Sequence, residues 1–270
     1  MAKTPVAETK ALVSWEEELA REAKAAAAVE ATSAGGSWLS TRGGMLTLND
    51  APMAGSQVAC IIVASMFENA YYTTAFDTEA ITPPRCFALS EDEKGLKPHE
   101  SVFALGQQGH DTCKGCEHNE YGTAVRNGRR AKGKACQNRR RLALLSAGEI
   151  DEHGRNFRPY TDEEHYVKGP LVGLKISPTQ VRGYASYVTQ LSATVRRPPW
   201  AVYTLVKVSP DLNTQIKVTF TSLGLVDGAV IPAIRNRLEE AKELINRPYN
   251  LEVDEAPPAP SLKPGRKAKY

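Results

Sequence analysis

The chain has 270 residues, 41% of them hydrophobic, which is enough to bury a substantial core in one large domain without disulfide staples. Its formal charge of +3 is too small to announce a nucleic-acid binder by itself. No window approaches the roughly 20 apolar residues of a membrane span, and Met1-Ala2-Lys3-Thr4-Pro5 lacks the apolar stretch of a secretion signal, so a membrane partner is excluded and a cytoplasmic location is expected.

Residues 1–34 carry Trp15, Glu16 to Glu18, Leu19 and an Ala run, which suits a solvated helical arm with little apolar face. Gly35-Gly36 and Gly43-Gly44 then punctuate the chain, and the folded domain is expected over 35–250. Val58 to Val63 predicts a buried strand, with Cys60 a small core residue, that turns near Glu68-Asn69 and resumes through Tyr71-Tyr72. Arg85 to Leu89 predicts a short strand after Pro83-Pro84. From Ser90 to Asn138 the chain is rich in Gly, His, Lys and Arg and poor in branched apolar residues, so it cannot drive its own collapse.

Strand patterns resume at Leu142 to Leu145 and at Leu171 to Ile176, with an acidic stretch between them. Ser177-Pro178 opens a helix on which Val181, Tyr184, Tyr187, Val188, Leu191 and Val195 share one face, and Pro198-Pro199 stops it. Trp200 to Val208 and Thr214 to Phe220 read as a hairpin, followed by a helix from about Ala229 to Asn246. Residues 251–270 are Pro-rich and then basic, the composition of a disordered tail. Short strands with one helix lodged among them, and no strand-helix alternation, predict a mainly β fold with helices (α+β): an oligonucleotide-binding-type β-barrel with an insert at about 86–141.

That insert holds the chemistry. Cys113 and Cys116 stand at the spacing with which two thiolates bite one tetrahedral ion, Cys86 lies upstream, and nineteen residues separate Cys116 from Cys136. Four clustered thiols in a reducing compartment predict zinc bound by Cys86, Cys113, Cys116 and Cys136, with His110 and His118 competing for the fourth place. Zinc would fold a polar segment that has no core of its own. A redox role for the CxxC is disfavoured, because Gly and charged residues surround it instead of a helix start.

Around Cys136 the charge is local. Eight cations and no acid lie between Arg126 and Arg141: Arg126, Arg129, Arg130, Lys132, Lys134, Arg139, Arg140 and Arg141. Held by the metal, they would neutralise successive phosphates. Bases would stack on Tyr72 and Trp200, chosen over Tyr71 and Phe76, while Tyr184 and Tyr187 on the helical stripe belong to the core. No catalytic constellation emerges and an enzyme is not expected. The alternatives are a His-Asn-His-like nuclease using His110, His118 and Asn119, and a zinc-ribbon adaptor whose basic face holds an acidic protein.

The strand pieces Val58 to Tyr72 and Trp200 to Phe220, the cysteine insert between them and the basic run resemble the bacteriophage single-stranded-DNA-binding proteins, in particular the zinc-containing helix-destabilising proteins of the T-even type. The resemblance implies an oligonucleotide-binding barrel, a structural zinc subdomain, and coating of single-stranded DNA beside replication or recombination proteins. The T-even pattern has one His and three Cys with the CxxC last, whereas Cys136 here follows the CxxC, and the tail here ends basic.

Overall fold

The computed structural model describes Leu19, Arg21, Glu22 and residues 37–73, 82–126 and 128–251, the side chain of Arg126 excepted. The expected N-terminal arm, apart from those three residues, Phe76, and the tail beyond Leu251 lie outside the described residues. In chain order the strands and helices begin with β1 (Ser37–Ser40), β2 (Thr47–Leu48), β3 (Ala51–Pro52), β4 (Gln57–Tyr71), β5 (Cys86–Ser90), α1 (Glu100–Ala104), β6 (Val125–Arg126), β7 (Arg129–Arg130) and β8 (Cys136–Ser146). They continue with β9 (Gly148–Glu149), β10 (Arg158–Pro159), α2 (Glu163–Lys168), β11 (Leu171–Ile176), α3 (Pro178–Thr194), β12 (Val202–Asp211), β13 (Gln215–Leu225), α4 (Ile231–Asn236) and α5 (Leu238–Ile245).

The fold is mixed α+β, dominated by one strongly curled half-barrel sheet in the order β13-β12-β4-β8-β11-β1-β2-β3, with β5 added to β4. β4 is its spine. It pairs antiparallel with β8 along nearly its whole length, with β12 through residues 57–61 and with β5 through residues 67–71. A register shift between Ile62 and Ala64 falls between those two neighbours, where a bulge bends a strand that must serve both.

Alternation along the strands feeds two cores. One face sends Cys60, Ile62, Leu142, Leu144, Leu174 and Val206 against Tyr184, Tyr187 and Leu191 of α3. The other sends Ile61, Val63, Ala143 and Leu145 against Ile234, Leu244 and Ile245 of α4 and α5. Cys60 is fully buried, as its place in an apolar run required. The expected terminal helix is two helices broken at Arg237, whose guanidinium turns inward to the carbonyls of Tyr166, Val167 and Gly169 at the end of α2. Gly173 has a steric reason: a Cβ there would come within 2.5 Å of the Trp38 ring, which lies flat on β11.

Two expectations are corrected. β4 does not turn at Glu68-Asn69; both residues are buried within it. The run Arg139-Arg140-Arg141 is no loop of free cations but the middle of β8, and Arg141 is 1% exposed. The two corrections share one cause. Arg141 Nη2 meets Glu68 Oε1 at 3.2 Å, and Arg141 Nη1 donates to the carbonyls of Ile245 at 3.0 Å and Arg247 at 2.6 Å. Arg141 therefore cannot hold a phosphate.

Burial by itself raises the Glu68 carboxyl, but Arg141, then Lys175 and the Tyr249 hydroxyl, outweigh it and hold the group below its ordinary 4.5. Removing one partner of a buried pair strands the other, so Glu68→Ala should cost about 3–5 kcal/mol in urea unfolding, while Glu68→Leu with Arg141→Met recovers most of it. A carboxyl lowered by folding contributes stability above its unfolded value and loses it as pH falls through the folded one. The wild-type urea midpoint should accordingly fall below pH 4.5 more steeply than that of the double variant.

Candidate functional site: the cysteine pocket and basic hairpin

Tyr71, the last residue of β4, pairs with Cys86 on one side and with Cys136 on the other, so both cysteines start their strands at the same level of the sheet. The connection between β5 and β8 folds back over this end. Leu96, Pro98 and Val102 are its buried apolar residues among those described, and Leu96 O accepts from Cys113 N at 3.2 Å, tying the CxxC to the segment before α1. The result is a cavity of about 20 Å³ whose wall includes Cys86, Cys113, Cys116 and Cys136. That is room for about one water-sized occupant.

Asparagines fasten the pocket to the sheet. Asn119 Nδ2 donates to Cys113 O at 2.9 Å, Asn119 Oδ1 accepts from Asn138 Nδ2 at 3.0 Å and Lys134 Nζ at 3.3 Å, and Asn138 also donates to Asn69 Oδ1. The His118 ring lies flat on Tyr71, with centroids 4.0 Å apart and planes 8° apart, at the cavity's edge. His110 is exposed, and its Nδ1 accepts from Thr112 N at 3.2 Å.

As free thiols Cys86, Cys113 and Cys136 are poor nucleophiles. Burial, then the sulfurs of Cys113 and Cys116, push Cys86 up to about 11, against a hydrogen bond from Gly109. Burial, then Cys113, Cys86 and Cys116, push Cys136 up to about 12, and burial raises Cys113 against a hydrogen bond from Asn69. Buried thiols that repel one another as anions resist redox chemistry. Thiols of this kind are soft donors, and a divalent cation among them would favour their thiolate forms. Among the described residues no three His, Cys, Asp or Glu side chains already stand as a metal-holding group, so the thiols face one cavity without having closed on its centre.

Out of this pocket grows a hairpin. β6 pairs with β7, Ala131 N donates to Ala124 O at 2.8 Å, and Ala135 N donates to Thr123 Oγ1 at 3.0 Å, bringing the chain back to Cys136. Gly128, at φ +73°, makes the turn that glycine tolerates best. Arg129, Arg130 and Lys132 are exposed on the hairpin, and Lys134 is half-buried with its ammonium 5.1 Å from the centre of the Tyr121 ring.

The remaining candidates separate. Arg139 is half-buried, its guanidinium 5.4 Å from the Tyr72 ring centre and 3.4 Å from the Tyr72 hydroxyl. Arg140 points to the opposite face, 3.0 Å above the Phe67 ring. Trp200 precedes β12 and packs, half-buried, on the core beneath α4. It is away from the hairpin, because neighbouring Tyr203 pairs with Ile61, ten residues before Tyr71. Tyr121, 80% exposed between Asn119 and the basic hairpin, is an exposed aromatic residue that sequence reasoning did not single out among the rings. Its signal was a Tyr inside a polar, Gly-rich segment with no apolar neighbour to pack it.

No protein family, no curated protein and no solved structure matches this chain. If the asparagine chain is what locks the pocket, Asn119→Ala should raise the rate at which Ellman's reagent labels the cysteines by about tenfold. That corresponds to roughly 1.4 kcal/mol of lost hydrogen bonding, with little change in the global urea midpoint.

Proposed function

We propose that the protein is a non-catalytic single-stranded-DNA-binding protein whose basic hairpin and neighbouring aromatics hold the strand, and whose four cysteines carry a structural zinc ion. The observation that carries this reading is the joining, in the long connection between β4 and β8, of three exposed cations, Arg129, Arg130 and Lys132, with the exposed ring of Tyr121. Cations neutralise phosphates irrespective of sequence, and rings stack any base. Arg139 on Tyr72 extends the same chemistry onto the end of the sheet.

The connectivity supports it. β4, β8, β11, α3, β12 and β13 follow one another in the chain and lie in the order β13-β12-β4-β8-β11, a five-stranded, partly open arrangement with its helix after the third strand. Oligonucleotide-binding barrels are partly open five-stranded sheets that bind through the faces of strands 2 and 3 and the loop between strands 1 and 2, which here is the cysteine-bearing connection. For the ion, the fit rests on four thiols around a cavity of about 20 Å³. Zinc bound there would supply no reactivity, only four bonds that tie β5, the CxxC and β8 together where apolar burial is scarce.

Asn119 in this arrangement is a fastener between Cys113, Asn138 and Lys134, which leaves it no free amide for the nuclease alternative. A labelled strand incubated with magnesium or manganese should therefore stay intact.

Fluorescence titration should show salt-sensitive binding that prefers single-stranded to duplex DNA; equal affinity for the two would reject the reading. Replacing Arg129, Arg130 or Lys132 with Ala should lower the slope of log affinity against log salt by about one each. Tyr121→Ala should cost about 1–3 kcal/mol at unchanged slope. Native mass spectrometry should find one zinc per chain, lost in Cys113→Ser.

A further inference from the structure

The open edge of the half-barrel is β13, which among the described residues pairs only with β12. Its first half is already capped. The Gln180 carboxamide, buried at the start of α3, donates to Ile216 O and accepts from Val218 N at 3.1 Å, so that one side chain stands in for a neighbouring strand. Peptide groups on a strand point to alternate edges, which puts the N–H and C=O of Phe220 and Ser222 on the same outward side as those of Ile216 and Val218. Beside Phe220, Thr221 and Ser222 the capping stops and a groove of about 250 Å³ opens between β13 and the second half of α3, walled by Tyr187, Leu191 and Val195.

Such a groove admits an extended segment: the strand edge offers main-chain hydrogen bonds and the helix offers an apolar wall for alternate side chains. Charge narrows the choice. Arg196 and Arg197 stand exposed directly after Val195 at the end of the groove, and α3 from Pro178 to Thr194 carries Arg182 and no acid, so the guest should be acidic. The described chain ends at Leu251, and Leu251-Glu252-Val253-Asp254-Glu255 alternates apolar and acidic residues just before two prolines.

It cannot fill its own groove. Tyr249 is held on Glu68 and Lys175, on the sheet face opposite α3. Phe220 stands beside Val206 and so beside Val58, ten residues back along β4 from Glu68, about 30 Å of strand. Val253, four residues beyond Tyr249, reaches at most about 14 Å from it. We infer that residues 251–255 of one copy add as a short strand to the β13 edge of a second copy, in the groove beneath α3. The contact is heterologous, each copy giving a tail and offering a groove, and so builds open chains of copies. This inference does not depend on the nucleic-acid reading.

The test uses the full-length protein without DNA. Sedimentation velocity of the wild type should show association that grows with concentration and weakens with salt. Two variants should each be monomeric with wild-type circular dichroism: Glu252→Lys with Asp254→Lys, which spoils the tail, and Ser222→Pro, which removes an edge N–H where proline is tolerated. Mixed, they should form a one-to-one pair and nothing larger, because one retains a groove and the other a tail. A wild type monomeric up to its solubility limit overturns the proposal, as does a tail variant that still dimerises through symmetric β13 pairing. Two folded variants that fail to pair when mixed also overturn it.

Discussion

A carboxylate and a guanidinium taken out of water against each other, Glu68 and Arg141, set the terms on which the long strand of this fold can exist. The second half of β4 must be flanked by β8 and β5 and covered by the segment after α5, which leaves no solvent for a polar side chain. An apolar pair of the same volume could fill that space. The charged pair does something an apolar pair would not: Arg141 reaches the carbonyls of Ile245 and Arg247, and Glu68 takes the Tyr249 hydroxyl, so the chain leaving α5 is fixed to the sheet. Lys175, lying over both Trp38 and Tyr249, shares that environment and is pushed down to about 8 by burial. The far end of the sheet is thereby made rigid where the cysteine-bearing connection leaves it.

Rigidity there matters because the connection has few means of its own. Leu96, Pro98 and Val102 are its buried apolar side chains among the described residues, which at about 1.5–3 kcal/mol each cannot offset the ordering of so long a connection. Polar fastening supplies part of the difference. Asn69 in β4 and Asn138 in β8 form a register pair, and Asn119 closes on them from above, so the sheet's own ladder extends into the insert as side-chain hydrogen bonds. The thiols lie just beyond that contact. Burial disfavours the anions of Cys86, Cys113 and Cys136, and a cation in their midst would turn that penalty into attachment.

The sequence made the half-barrel legible wherever apolar residues mark the strands. Val58 to Val63 was readable as a continuous apolar run buried on both faces, Leu171 to Ile176 and the 202–225 hairpin as apolar strand patterns bounded by turn residues, and α3 because Tyr184, Tyr187 and Leu191 recur at helical spacing. Pattern failed where burial is polar. Glu68-Asn69 has the composition of a turn and Arg139 to Arg141 that of a solvated run, since the partner that neutralises each lies about seventy residues away in the chain and is visible only once β4 and β8 pair. The four cysteines line one cavity without standing as a metal-holding group among the described residues, and the sorting of the cations was not legible from the sequence. Strand alternation sends Arg140 to one face and Arg139 and Arg141 to the other, so a contiguous basic run becomes three environments.

That sorting decides what a modest net charge can accomplish. With Arg141 neutralised inside and Arg140 laid on Phe67, the exposed cations among the described residues of the basic run are those of the hairpin, Arg129, Arg130 and Lys132, and they stand on an element joined to the sheet through Cys136. A flexible tail with the same three charges would lose conformational freedom each time it met a polyanion. Mounted on a hairpin that is pinned at Thr123 and Ala135, they have lost much of that freedom in folding, so the contact with phosphates proposed above would be opposed by less entropy. The position of Tyr121 follows from the same anchoring. It lies where the segment turns from the pocket into the hairpin, too exposed to contribute to a core and held at the right place to offer a flat face beside fixed positive charge.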